Sequence, residues 1–177
     1  MNRTEIEIKV NRDRAWLIET YAAMPVDDLT RGVTPSEHDP TSKWSPLDHL
    51  SHLSEIERDF NAMIRRHLEG HSNPVGLLER PDGTPRPREE IMRDVHSRTE
   101  AWAQKHRGKS LSEVVAVGQQ VRAETLALLA ELSDEQLTQK LPGAPWADGT
   151  IGGVLGVNGD HGRMHYNWVK EGFAATV

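Results

Sequence analysis

Two histidines near the end of the chain, His161 and His165, lie four residues apart in the segment GDHGRMHYNWV. On an α-helix this spacing places both imidazole rings on adjacent turns of one side, where they can bind a single metal ion. The pair alone is weak evidence, because two surface histidines reach the same spacing by chance. A metalloprotease motif requires a glutamate after the first histidine as general base. Gly162 occupies that position, which excludes this class.

A third ligand has to come from another helix, and the segment WSPLDHLSHLSEIE offers two histidines. His49 falls on the apolar stripe of this helix and His52 flanks it, so periodicity slightly favours His49 as the inward residue. The alternative is one buried histidine bonded to a backbone carbonyl. The other histidines fall in loops, at helix ends or in polar stretches, and we expect them to be exposed: His38, His67, His71, His96 and His106.

The elements that position these residues are predicted to be helices, with no strand. The first ends at Pro25, and the second begins at the N-cap Ser45 and ends near Gly70. The predicted bounds of the later helices are about 87–106, 110–132, where the capping box SLSE opens the helix, and 150–173. Two polar, proline-punctuated segments, about 30–43 and 71–87, are predicted to be long irregular loops.

The last helix has an apolar face whose middle is polar or empty. Asn158, Gly162 and the two histidines fall between apolar ends, which predicts a cavity partway along the helix with both imidazoles pointing into it. Five glycines lie between positions 152 and 162, although each costs about 1 kcal/mol in a helix interior relative to alanine. They would leave room either for a neighbouring helix or for a bound molecule.

Composition narrows the class of protein. The 177 residues suffice for one domain over 1–177, and the net charge of −6 disfavours nucleic acid as a partner. The absence of cysteine excludes disulfides, thiolate ligands and a sulfur nucleophile of the chain's own. No apolar run approaches the roughly 20 residues that span a bilayer, and the N-terminus lacks a signal-peptide core. We therefore expect a soluble, cytoplasmic all-α protein without membrane contact, an antiparallel four-helix bundle.

The combination of WSPLDHLSHLSEIE with the late NGDHGRMH resembles the DinB/YfiT-like family of four-helix metalloproteins, over nearly the whole chain. Within that family the last helix is most similar to the ClbS/DfsB-like branch. The related maleylpyruvate isomerases carry a glutamate between their late histidines, where this chain has Arg163 and Met164, so isomerase activity is not expected.

The resemblance implies a down-up bundle, a homodimer and a divalent metal ion on His52, His161 and His165, with His52 matched by its position. Three neutral nitrogens favour zinc, nickel or iron over magnesium or calcium, and they leave at least one coordination position open. Asp48, one turn before His52, could orient it, although a first-turn carboxylate is equally explained by the helix dipole. Glu55 and Glu57 could act as bases, but we expect them on a solvated face, and we expect Trp44 to be a core anchor.

The function that the resemblance implies is a metal-dependent S-transferase or hydrolase acting on an electrophilic small molecule, in detoxification or self-resistance. It would proceed by small-thiol transfer or by hydrolytic ring opening. Because the chain has no cysteine, a sulfur nucleophile would be a low-molecular-weight thiol cosubstrate. The alternative is a non-catalytic stress or resistance protein that binds and sequesters a small molecule.

Overall fold

The computed structural model describes residues 1–175, and this part of the chain is mostly helical, as predicted. Five helices are long: α1 (Arg3–Ala22), α3 (Pro46–Leu68), α4 (Arg88–His106), α5 (Leu111–Glu131) and α7 (Ile151–Ala174). Two are short: α2 (Val26–Leu29) and α6 (Asp134–Thr138). None of the helices within residues 1–175 combines the length and apolarity that crossing a bilayer requires.

Side chains cap the starts of several helices, at Ser45 and Ser110 as the sequence predicts and also at Ser133. The Ser45 hydroxyl accepts a hydrogen bond from the Asp48 N–H, and the Asp48 carboxylate accepts one from the Ser45 N–H at 2.8 Å. Ser110 begins α5 and Ser133 begins α6 with the same reciprocal capping box. These bonds satisfy N–H groups that have no partner within the helix, so the starts are fixed locally.

Helix α3 is the centre of the packing. It contacts α5, α7 and α4, while α1 packs on α7 and on α5. Four helices, α1, α3, α5 and α7, thus contact one another in a ring, and α4 is a further long helix that packs mainly on α3. The apolar core lies inside this ring, around fully buried side chains such as Leu50, Leu53 and Ile151.

The predicted loop at 30–43 ends in a short antiparallel strand pairing, so the prediction of a chain without strands was wrong. Strand β1 (Thr34–Pro35) pairs antiparallel with β2 (Lys43–Trp44), and the Val33 N–H donates to the Trp44 carbonyl at 2.9 Å. Two-residue strands are too short to produce an alternating pattern, so periodicity could not reveal them. The pairing fixes Trp44 immediately before α3 begins.

Candidate metal centre

Helices α3 and α7 bring His52, His161 and His165 together, and we call these three residues the histidine cluster. One ring nitrogen from each lies within 4.8 Å of the others. The Nε2 atoms of His161 and His165 are 2.9 Å apart, and the His52 ring centroid lies 4.7 Å from that of His165. The four-residue spacing on α7 and the contact between α3 and α7 together produce this convergence.

Burial keeps the histidine cluster neutral. It lowers the pKa of His52 to about 3 and that of His161 to about 4, and it lowers the pKa of His165 well below its ordinary value. Neighbouring imidazoles lower the pKa of His52 and His165 further. The Nδ1 atom of His52 is buried and has no hydrogen-bond partner within residues 1–175. Neutral imidazoles with free lone pairs fit a divalent transition metal ion.

His49 lies behind the cluster rather than in it. It is 1% exposed, so the periodicity was right about its burial, but its Nδ1 atom contacts Nδ1 of His165 at 2.7 Å. Its Nε2 atom has no hydrogen-bond partner among the described residues. Burial lowers the pKa of His49 to about 3, which keeps this ring neutral. Of the two histidines considered on α3, His52 is the one that the structure groups with His161 and His165.

Trp44 covers one side of these rings. Its indole is stacked on His165 with centroids 6.4 Å apart, and it packs against His49 and His52 at 5.3 and 5.2 Å. Its Nε1–H donates to the carboxylate of Glu100 on α4 at 2.7 Å. The tryptophan is therefore buried, as expected, and it also touches the candidate site. Sequence reasoning missed Glu100, because one more glutamate in a polar helix carries no distinguishing pattern.

Glu100 is held in turn by several donors. The hydroxyl of Ser36 donates to its Oε2 at 2.7 Å, and the side chains of Gln104 and Arg107 donate to its Oε1 at 2.8 and 3.2 Å. Burial tends to raise the pKa of this carboxyl, but the hydrogen bonds, first that from Trp44, outweigh burial and lower it. Glu100 is therefore a carboxylate at neutral pH, and it fixes the orientation of the indole.

A cavity of about 1040 Å³ opens beside the histidine cluster, which forms part of its wall. Apolar and aromatic side chains from α3, α4, α7 and the preceding loop form much of the rest, among them Ile56, Phe60, Ile91, Trp146 and Val157. Asp59, which lies 3.4 Å from Arg98, adds a carboxyl to this wall. Burial raises the pKa of Asp59, and the nearby Arg98 opposes that shift. The predicted cavity next to His161 and His165 is therefore present.

Residues 37–169 of the chain, which contain the whole histidine cluster, match the DinB superfamily. The chain belongs to this superfamily. DinB superfamily members are generally metal-binding, and the arrangement of the histidine cluster could hold a metal ion.

A solved structure is similar in fold to most of the chain. A crystal structure of an uncharacterised protein from Escherichia coli UTI89 is similar over 96% of this chain and 94% of that chain. The TM-score is 0.57 and the sequence identity is 19%, so this likeness concerns the fold alone. A search of curated proteins found no match.

Four of the glycines of α7 in this DinB protein, Gly152, Gly156, Gly159 and Gly162, lie against side chains of residues 1–17. A Cβ atom on Gly159 would lie 2.6 Å from the Cβ of Asp13, and one on Gly162 would lie 3.0 Å from a methyl of Leu17. Gly152 and Gly156 likewise face side chains of the N-terminal segment. Of the two explanations that the sequence left open for these glycines, the structure supports close helix packing.

Glu55 and Glu57 are buried, which contradicts the expectation of a solvated face. Glu55 is 4% exposed and accepts hydrogen bonds from Arg58, Lys105 and His106 at 2.6–2.9 Å. His106, which we expected to be exposed, is buried with it. Partners on α4, about 50 residues along the chain, cover this carboxylate, so the sequence pattern of α3 could not indicate its burial.

Glu57 and Asp48 also serve the structure. Glu57 accepts a hydrogen bond from Thr125 at 2.6 Å and lies 2.8 Å from the guanidinium of Arg122, both on α5. Asp48 caps its own helix and lies 3.5 Å from Arg107. The hydrogen bonds that its carboxylate accepts from residues 1–175 come from the N–H and the hydroxyl of Ser45, so the structure favours the helix-start role over orientation of His52.

Proposed function

We propose that this protein is a metal-dependent enzyme acting on an electrophilic small molecule, in the ClbS/DfsB-like branch of the DinB superfamily. One observation carries the proposal: three neutral imidazoles converge on the wall of a cavity of about 1040 Å³. Cavities of roughly 300–1,000 Å³ accommodate drug-sized ligands, so this one has room for a substrate beside the cluster.

In this proposal His52, His161 and His165 hold a zinc, nickel or iron ion. Three imidazole nitrogens suit these metals better than magnesium or calcium, and they leave a coordination position for a water molecule or a thiol. When bound, the ion would act as a Lewis acid and lower the pKa of that water or thiol toward neutrality. The chain itself contributes no cysteine, so the thiol would be a small cosubstrate.

The residues of the cavity bind and orient the electrophile. Phe60 and Trp146, whose rings are 4.8 Å apart, offer an apolar surface, and Trp44 holds the histidine rings in place behind it. In either reaction the oxygen or sulfur of the nucleophile bonds to the electrophilic carbon while the bond to the leaving atom breaks. The leaving atom keeps that electron pair and takes up the proton that the nucleophile releases.

The proposal extends to architecture and assembly. We propose the antiparallel, down-up order of the four-helix bundle for α1, α3, α5 and α7, together with a homodimer in the cytoplasm. The mutual packing of these four helices supports the bundle. Light scattering of the purified protein tests the assembly, and a strict monomer would contradict the dimer.

The decisive experiment compares the wild type with His161→Ala, and with His71→Ala as the matched control. His71 is exposed and lies outside the cluster. Each protein is loaded with zinc, nickel or iron and assayed by mass spectrometry against epoxides, activated cyclopropanes and aryl halides, with and without glutathione or cysteine. We expect product with the wild type and with His71→Ala only. Full activity in His161→Ala would refute the metal-dependent mechanism.

The second candidate function is sequestration without turnover. The apolar wall of the cavity supports this alternative, because such a surface can hold a small molecule without any chemistry. The same assay separates the two functions. One equivalent of electrophile bound per chain, with no product and no dependence on metal, would favour sequestration over catalysis.

A further inference from the structure

The contact between His49 and His165 involves the same atom of both rings. Their Nδ1 atoms are 2.7 Å apart, which is hydrogen-bond distance, and both residues are at least nine-tenths buried. In a neutral imidazole one nitrogen carries the proton and the other accepts. Two arrangements are therefore open: either His165 donates to His49, or His49 donates to His165.

The other nitrogen of His165 distinguishes the two arrangements. Its Nε2 atom points toward Nε2 of His161, at 2.9 Å, and so toward the interior of the cluster. A metal-binding nitrogen must offer a lone pair, so Nε2 of His165 can bind an ion only when the proton is on Nδ1. In that arrangement His165 donates from Nδ1–H and His49 accepts at its own Nδ1.

We propose that His49 is a positioning residue that selects the metal-binding tautomer and ring orientation of His165. Metal-bound histidines in proteins usually donate their second N–H to a carboxylate or a carbonyl. Here a buried imidazole takes that place. This inference rests on the proposed metal centre, and it gives a reason for a second buried histidine on α3 that does not belong to the cluster.

Neighbouring side chains fix the position of the His49 ring. It lies one turn before His52 on α3, and the Trp44 ring packs against His49 and stacks on His165. Glu100 fixes the indole from the other side through the Nε1–H bond. Both rings of the pair are therefore confined, and the Nδ1–Nδ1 distance is set by packing on α3 and α7.

The test compares His49→Phe with His49→Asn in zinc titrations against a chromophoric chelator. Phenylalanine keeps a planar ring but removes the acceptor, whereas the Oδ1 atom of asparagine can occupy the position of Nδ1. We expect zinc affinity to fall about 10–100-fold in His49→Phe and to remain near the wild-type value in His49→Asn. Equal affinity in His49→Phe, or an equal loss in both variants, would overturn the role.

A measurement on the wild type alone decides the matter even if a variant fails to fold. In ¹⁵N NMR of the zinc-loaded protein we expect the proton of His165 on Nδ1, with a hydrogen bond to His49. A protonated Nε2 on His165 would overturn the inference while zinc binding itself stands. A wild type that binds no zinc would instead refute the metal centre, and the positioning role with it.

Discussion

Helix α3 carries two buried polar regions, and they differ in how completely their atoms are partnered. Glu55 and Glu57, which we call the carboxylate pair, receive hydrogen bonds from cationic and hydroxyl groups on α4 and α5. In contrast, His49 and His52 each keep a buried nitrogen with no partner within residues 1–175. A buried polar atom without a partner costs free energy, roughly 1–3 kcal/mol. The comparison shows that the carboxylates find their partners within the fold, whereas His52 keeps a buried nitrogen free for the proposed metal ion.

The largest effect is expected from removing a proposed metal ligand, which should weaken metal binding without unfolding the protein. His52→Ala should weaken zinc binding by more than about 100-fold, which exceeds the effect typical of a residue that only supports a ligand. The bundle should remain folded, because helix packing provides most of its stability. Metal analysis with circular dichroism checks both. His67 is a half-exposed histidine near the end of the same helix, and the control variant His67→Ala should bind zinc as tightly as the wild type does.

The opposite result is expected for the carboxylate pair. Glu55→Gln leaves Lys105 and His106 without their charged partner, so the free energy of unfolding should fall by about 3 kcal/mol. Zinc affinity should stay unchanged. Urea denaturation measures the loss, with the exposed Glu7→Gln as control. A Glu55→Gln variant that is as stable as the wild type but no longer binds zinc would contradict the assignment of the carboxylate pair to the fold and of the histidines to metal binding.

A smaller effect is expected at the contact between α1 and α7. Gly159→Ala gains helix propensity, up to about 1 kcal/mol, but its Cβ collides with Asp13. We expect a net destabilisation of about 1–2 kcal/mol from overpacking, with zinc binding intact. Thermal unfolding compared with Asn167→Ala, an exposed position on the same helix, tests this prediction. Stabilisation by Gly159→Ala would show that α1 lies farther from α7.

The smallest effect concerns pH. Burial raises the pKa of Glu55, but hydrogen bonds from His106, Lys105 and Arg58 outweigh burial and lower it to about 2, below the ordinary value of 4.5. The stabilisation by Glu55 is therefore complete above pH 4.5 and is lost as the pH falls toward 2. Between pH 4.5 and 3.5 the free energy of unfolding of the wild type should fall by about 1 kcal/mol more than that of Glu55→Gln. Urea denaturation at each pH measures the difference, and an equal fall in the free energy of unfolding of both proteins would contradict the lowered pKa of Glu55.

The sequence determined the features that depend on neighbours along the chain. Ser45 and Ser110 begin helices because each cap is closed by a residue three positions later. The pairing of His161 with His165 follows from helical periodicity, and the burial of His49 follows from the apolar stripe on α3. Such features involve atoms within about one or two helical turns, which is why local patterns predict them.

The tertiary structure decided which residues share a site and which buried charges are paired. The grouping of His52 with α7, implied beforehand only by family resemblance, results from the contact between α3 and α7. Glu55 is buried because α4 covers it, and Gly159 and Gly162 are needed on α7 because α1 lies against them. Local periodicity predicts only whether a residue faces inward or outward. The residue that it contacts lies about 50 to 150 positions away along the chain, and the packing of whole helices determines which residue that is.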